Sequence, residues 1–334
     1  MTGQRMNGAG TTRRGWLAAG AGLALPAPGR PAAAQPAYPT RPVRVVVCWS
    51  AGGGVDSTAR RLGARLSEQM GQPFVIENRP GATGSIGAAE VARAAPDGHT
   101  LLCIDNSYAT LPYLFSRLPF DQPTAFRPIS IAAVSPLFLG VAANSPHRDL
   151  AGFIAAAKAQ PDRISYGTGG NGSAPHFATV AFERASGTKL FHVPFRGANE
   201  AVLAVLSGTV DAVIVSIGSA LGSLQGGQLR PLAISGNSRV AALPNTPTFA
   251  EAGLPGYGVV SWYGLAAPRG TPEPIVARLH AEMLRAIATE DFKSFLTSVG
   301  SEPGGLEPDA FARLIGEETA LWRDVALSGG IERQ

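Results

Sequence analysis

The feature that most constrains this 334-residue chain is a joint that occurs three times: an apolar run ends, glycines follow, and a helical pattern begins. The joints are Ser50-Ala51-Gly52-Gly53-Gly54, Pro80-Gly81-Ala82-Thr83-Gly84 and Gly167-Thr168-Gly169-Gly170-Asn171-Gly172. Strand followed by helix across a short turn implies parallel β-sheets covered on both faces, so the fold class is α/β. Glycine permits positive φ and close approach of a ligand to the backbone. The first N–H groups of a helix have no internal partner and carry the positive end of its dipole, so such joints bind anions without a charged side chain. In parallel α/β sheets they gather at the carboxyl ends of strands, where ligands sit.

The alternation extends along the chain. Strands are expected at 43–48, 74–77, 101–104, 163–166, 190–195 and 212–215, and helices at about 56–70, 85–94, 150–159, 177–185 and 200–206. The run Val260-Ser261-Trp262-Tyr263-Gly264-Leu265 reads as a strand returning to the first half, followed by helices at 273–289 and 308–327. The expected organisation is two lobes, one built from 38–140 plus 260–334 and the other from 141–259. Two chain crossings between lobes make a hinge, and hinges commonly close over a ligand.

Which anion? A Walker-type phosphate loop needs a lysine beside its glycines, and the only lysines are Lys158, Lys189 and Lys293, none of them in a joint. Gly167, Gly169 and Gly172 do fit the dinucleotide pattern G-x-G-x-x-G, and Arg196 lies 24 residues beyond Gly172, near where a 2′-phosphate would be held. An exported NADP-dependent oxidoreductase is therefore an alternative. Other catalytic patterns are thin. Ser173 and His176 lie three apart without a G-x-S-x-G elbow, so the serine reads as a helix cap. The five histidines show no metal-ligand spacing. Asp56 reads as an N-cap, as a ligand contact, or as both.

Residues 1–34 differ from the rest. They hold Arg5, Arg13, Arg14 and Arg30, no acidic residue, an apolar stretch at 16–25 and the closing run Ala32-Ala33-Ala34. This reads as a signal peptide cleaved near Ala34, which implies a periplasmic location. Thr12-Arg13-Arg14-Gly15-Trp16-Leu17 resembles a twin-arginine signal, with an ordinary secretory signal as the other reading. Its apolar stretch is too short to span a bilayer. Removing four arginines takes the formal net charge from +4 to zero, so no nucleic-acid partner is expected. Cys48 and Cys103 sit in apolar strand-like runs and are expected to be buried free thiols.

Many ordered segments resemble the periplasmic solute-binding proteins of the tripartite tricarboxylate transporter type, the Bordetella uptake gene products. The resemblance runs from Tyr38 almost to the C-terminus. It rests on Tyr38-Pro39-Thr40-Arg41-Pro42-Val43 with Ala51-Gly52-Gly53-Gly54-Val55-Asp56, on Glu77-Asn78-Arg79-Pro80-Gly81-Ala82-Thr83-Gly84, and on Pro96-Asp97-Gly98-His99-Thr100-Leu101-Leu102. In the second half it rests on Ser165 to Ser173, His192-Val193-Pro194-Phe195-Arg196-Gly197, Gly208-Thr209-Val210-Asp211, and Leu243 to Gly253, and it ends at Trp262-Tyr263-Gly264-Leu265-Ala266-Ala267-Pro268. It implies a two-lobed, type II-like "Venus flytrap" architecture with mainly parallel sheets, closing on a small carboxylate held by backbone N–H groups, hydroxyls and water. Carried onto this chain, the ligand-binding role falls on Ala51, Gly52, Gly53 and Asp56 in the first lobe. In the second it falls on Thr168, Gly169, Asn171 and Ser173, with Arg196 either a partner for a distal carboxylate or a residue that only fixes the lobe. The implied protein is not an enzyme, uses no cofactor, acts as a monomer, and hands its ligand to membrane permease subunits; a ligand-bound partner of a sensor kinase is the other non-enzymatic reading. One departure stands out: Cys48-Trp49-Ser50 replaces the family's usual Pro-Phe or Pro-Tyr pair. Trp49 is then either a cleft residue favouring an aromatic or apolar ligand body or a packing residue between lobes.

Overall fold

The computed structural model describes residues 38–122, 124–329, 331 and 333, and the expected export signal lies outside them. β1 (Val43–Val47) lies between β2 (Phe74–Asn78) and β3 (Thr100–Asp105) and runs parallel to both. Its sequence, Val-Arg-Val-Val-Val, is the near-continuous β-branched run that a strand covered on both faces requires. α1 (Gly54–Met70), α8 (Glu273–Ile287) and α9 (Glu290–Ser298) cover one face through Leu62, Leu66, Val276, Leu279 and Phe292. α2 (Ser85–Ala92), α3 (Ser107–Leu114) and α10 (Pro308–Ser328) cover the other through Val91, Leu111, Phe311 and Trp322.

The second half repeats the plan. β5 (Ser165–Thr168) lies between β6 (Phe191–Pro194) and β7 (Ala212–Ser216), parallel to both. α4 (Leu150–Ala159) and α5 (Ala174–Ser186) bury Phe153 and Phe182 on one face, and α6 (Ala198–Leu206) buries Val202 and Val205 on the other. A short α7 (Leu221–Gln225) leads into β8 (Leu229–Ile234).

Two long strands join the halves. β4 (Phe126–Ala142) pairs antiparallel with β9 (Val260–Pro268) as far as Pro136, and from Leu137 onward with β7 and β8. β9 also pairs antiparallel with β3, and the two-residue β10 (Glu302–Pro303) joins β4 at Val134 and Ala133. The sheet order is β2-β1-β3-β9-β4-β7-β5-β6. The parallel units expected from the glycine joints are present, and an antiparallel centre connects them.

Several boundaries move for local reasons. α1 begins at Gly54 rather than 56. α5 begins at Ala174 rather than 177, with Pro175 in its first turn, where a missing N–H costs nothing. β5 runs two residues further than 166 because Gly167 and Thr168 still pair with Val193 and Pro194 of β6. The helical stretch from 273 stops at Ile287, and Thr289 starts α9 by accepting from the Phe292 N–H at 3.3 Å. Cys48 and Cys103 are buried free thiols, and burial pushes both thiol pKa values up.

Candidate functional site

Three helix N-termini meet where the halves face each other. α1 and α6 are preceded by Gly53 and Gly197, neither of which supplies a side-chain cap. α5 is capped by Ser173, whose hydroxyl accepts from the His176 N–H at 3.4 Å. Between these ends lies a cavity of about 50 Å³ whose wall includes Gly53, Gly54, Gly169, Ser173, Ala198 and Asn199. Among the described residues, no arginine, lysine or histidine lines it; its polar wall is completed by Asp105, Tyr263 and the serines at 50, 216, 219 and 261. The amides at the starts of α1 and α6, with serine hydroxyls and no cationic side chain, make a site for an anion held by dipoles and hydrogen bonds, whereas at α5 the Ala174 and His176 N–H groups are taken by Ser107 and Ser173. Toward solvent, a second space of about 300 Å³ shares Trp49, Ser50 and Gly169 with the first and adds Pro80, Gly81, Thr83, Phe195 and Arg196.

The loops of the two halves touch directly. The Gly54 N–H donates to Ser219 Oγ at 3.2 Å, Thr83 Oγ1 donates to the Asn171 carbonyl at 2.6 Å, and Thr110 Oγ1 donates to the Gly172 carbonyl at 2.8 Å. Ser107 Oγ accepts from the Ala174 N–H at 2.7 Å, so α3 caps α5 from across the cleft. Gly172 has φ +76°, and a Cβ there would lie 2.0 Å from Leu114 Cδ1. The third glycine of the dinucleotide pattern thus packs against a helix of the opposite half, and the first, Gly167, lies inside β5. Neither holds the position that the dinucleotide fold assigns to it.

The ten residues singled out from sequence separate into two groups. Trp49, Gly53, Gly169 and Ser173 line the inner cavity, and Arg196 lines the outer space together with Trp49 and Gly169. Asp56 and Thr168 are buried behind the wall, Ala51 and Gly52 are exposed and Asn171 is half-buried, and none of the five lines either space. Asp56 is third in α1, not its cap, and its carboxylate accepts from the Gly52 N–H at 2.9 Å, from Arg60 at 2.9 Å and from Asn78 at 2.8 Å. Burial pushes this carboxyl up, yet those three donors together hold it below the usual carboxylate range. It fixes the glycine loop from beneath. The Ala51 carbonyl accepts from Asn199 Nδ2 at 3.4 Å, and the Asn171 carbonyl takes the Thr83 bond.

Thr168 is fully buried and bonded to His192 Nε2 at 2.7 Å. His192 stacks on His176 with ring centroids 4.0 Å apart, and His176 Nδ1 accepts from the Gly172 N–H at 2.9 Å. Burial, with its neighbour's charge, pulls His176 down to about 3, and burial pulls His192 down to about 4. Both rings are neutral at physiological pH, so they brace the loop without adding positive charge. Among the described residues, no group of three or more His, Cys, Asp or Glu is placed to hold a metal ion.

The sequence reading missed Gly54, Asp105, Gly197, Asn199, Ser216, Ser219 and Tyr263 as wall residues. Two signals were available. Phe195-Arg196-Gly197 is a fourth strand–glycine–helix joint, and Asp105 is an acid closing an otherwise apolar strand. The serines and Tyr263 arrive through tertiary pairing that no local pattern announces.

The family described as "Tripartite tricarboxylate transporter family receptor" matches residues 58–329. A Pseudomonas sp. protein encoded in the tcbD-tcbE intergenic region is 36% identical over 306 residues, covering 91% of both chains. A Rhodopseudomonas palustris protein solved with adipate is 34% identical, with a TM-score of 0.85 over 89% of this chain and 100% of that one. MatC of the same organism, solved with bound malate, is 35% identical, with a TM-score of 0.81 over 86% of this chain and 100% of that one.

Proposed function

The chain belongs to the tripartite tricarboxylate transporter receptor family, a family of periplasmic solute-binding proteins, and from that premise we propose that it captures a small organic acid between two lobes and delivers it to the membrane subunits of a transporter of that type. The observation that carries the reading is the convergence of helix N-termini from both halves on one cavity without a cationic side chain in its wall. A carboxylate oxygen fits such a site because it accepts several N–H and O–H bonds at once. The adipate and malate held by the two relatives are ligands of this chemistry.

In this reading Gly53, Gly54, Gly169, Ser173, Ala198 and Asn199 contact the carboxylate. Asp56, Thr168 and Asn171 keep the loops in shape, and Arg196 faces the distal end of the ligand in the outer space. The lobes are the two halves of the sheet, and they hinge where β4 changes partners at Pro136-Leu137 and where the chain returns into β9 at Val260. Closure is favoured because each lobe supplies contacts the other lacks, so the bound form is selected only when both engage.

A thermal-shift panel tests this. A ligand present at about 100 times its Kd should add roughly 2.7 kcal/mol to stability. Stabilisation by one or more small carboxylates and none by NADP(H) is the expected result. Stabilisation by NADP(H) with no response to carboxylates would replace this function with a dinucleotide enzyme.

A further inference from the structure

Asp105 closes β3, is 7% exposed and is a wall residue of the inner cavity. It accepts from the Ser107 N–H at 3.1 Å, from the Ser107 hydroxyl and from the indole N–H of Trp49. Four donors on one carboxyl, Asp105's own N–H among them, favour its ionised form, whereas burial opposes that form and raises the pKa to about 6. The titratable groups whose charge it feels, or that feel its charge, are Cys48, Cys103, Tyr263 and Glu318, and every one is an acid. No cation among the described residues lines the cavity. A buried carboxylate without a counter-charge is costly. A second anion placed in the same small cavity raises that cost.

Resting on the carboxylate-binding reading above, we propose that the ligand brings the missing cation: a zwitterion whose carboxylate lies at the helix N-termini and whose ammonium group pairs with Asp105. Trp49 stands beside it as an aromatic wall, a setting that also favours an ammonium group. The pairing communicates with the second half through one hydroxyl, since Ser107 Oγ donates to Asp105 and accepts from the first N–H of α5. A ligand that engages Asp105 therefore engages one of the contacts between the halves.

A purely local role for Asp105 exists, because its bond to the Ser107 N–H helps to start α3. Asparagine fills that role equally well. Asp105→Asn therefore keeps an acceptor for the start of the helix, removes the charge, and exchanges the second acceptor oxygen for an NH2 donor. The test is isothermal titration of wild type and Asp105→Asn at neutral pH with matched pairs: glutamate against glutarate, γ-aminobutyrate against butyrate, and p-(aminomethyl)benzoate against p-methylbenzoate. In at least one pair, wild type should bind the ammonium-bearing member tighter by roughly tenfold or more, the lower end for close charge pairs. Asp105→Asn should lose or invert that preference. Comparison within each pair in wild type needs no variant, so a folding defect in Asp105→Asn leaves the test intact. Carboxylate binding with no preference for the ammonium member overturns the proposal and leaves the carboxylate site standing. So does tighter binding of an amine-free acid that weakens as pH rises above about 6, since Asp105 then takes up a proton instead. If no carboxylate of either kind binds, the proposed function fails and this inference falls with it.

Discussion

Gly54 offers the sharpest perturbation of closure. It is the first residue of α1, and it is not among the glycines with positive φ, so alanine fits its backbone without strain. An added Cβ would lie 2.7 Å from Ser216 Oγ and 2.9 Å from the Tyr263 hydroxyl. Restoring ordinary contact near 3.5 Å requires those atoms to move by about 0.6–0.8 Å. Neither is loose: Ser216 Oγ lies 3.1 Å from Ser219 Oγ, and the Tyr263 hydroxyl is bonded to Ser216 and Ser135. Overpacking of this kind costs about 1–3 kcal/mol. The Ser216 clash spans the two halves and disappears when they separate, so that part of the cost falls on the closed form. At about 1.4 kcal/mol per decade, the expected loss of affinity is up to about 140-fold. Unfolding without ligand should change little, because Gly→Ala in a compatible conformation adds about 0.4–1 kcal/mol and offsets part of the Tyr263 contact. The assay is titration calorimetry with a carboxylate found in the thermal-shift panel, run beside thermal unfolding of the free protein. Wild-type affinity in a normally folded Gly54→Ala protein would refute the reasoning that the ligand is held with the halves together.

The remaining predictions concern the loops and their braces. Asp56→Ala leaves the Gly52 N–H, Asn78 and Arg60 without their shared acceptor and should cost about 1–3 kcal/mol in denaturant unfolding, with weaker ligand binding as the loop loosens. Ser173→Ala removes the cap of α5, worth about 1 kcal/mol, and a polar group of the cavity wall, so both stability and affinity should fall; if neither Asp56→Ala nor Ser173→Ala changes affinity, the site lies elsewhere. Burial holds His192 down to about 4 from 6.5, so between these values the unfolded chain binds a proton that the folded chain refuses. The stability attributable to this ring is complete above 6.5 and falls with pH by up to about 1.4 kcal/mol per pH unit. His192→Phe keeps an aromatic on His176 and should gain on wild type in urea unfolding as pH drops from 6.5 toward 4, with no further change at neutral pH. A difference between the two proteins that ignores pH contradicts the buried neutral ring.

Much of the fold was legible because the glycine joints punctuate it. The runs around β1, α1, β2, β3, β5, α5 and β7 are bounded by residues whose backbone demands are plain, and the structure moves their ends by only a few positions. Six elements escaped, α3, β4, α7, β8, α9 and β10, and four of them carry proline: Pro112; Pro128 and Pro136; Pro231; Pro303. Proline removes a ladder donor and reads locally as a break. β4 tolerates its two prolines in part because its pairing with β9 shifts register beside Pro128 and it changes partners after Pro136, facts that exist only in the assembled sheet. The site divides in the same way. Its amide donors were visible as glycines before helices, while Asp105, Ser216, Ser219 and Tyr263 reach the wall through strand order, which one local segment does not encode. Asp56 and Thr168 were visible as polar residues at the joints, and the structure puts them behind the wall, where hydrogen bonds tie them to the loops they support.

In the proposed complex, backbone amides of both halves hold the ligand's carboxylate. Amide ¹H–¹⁵N correlation spectra recorded during titration with a stabilising carboxylate test it most directly. The largest shifts are expected at Gly53, Gly54, Gly169 and Ala198, drawn from both halves and saturating together with one affinity. Shifts confined to one half, or centred away from these loops, would contradict it.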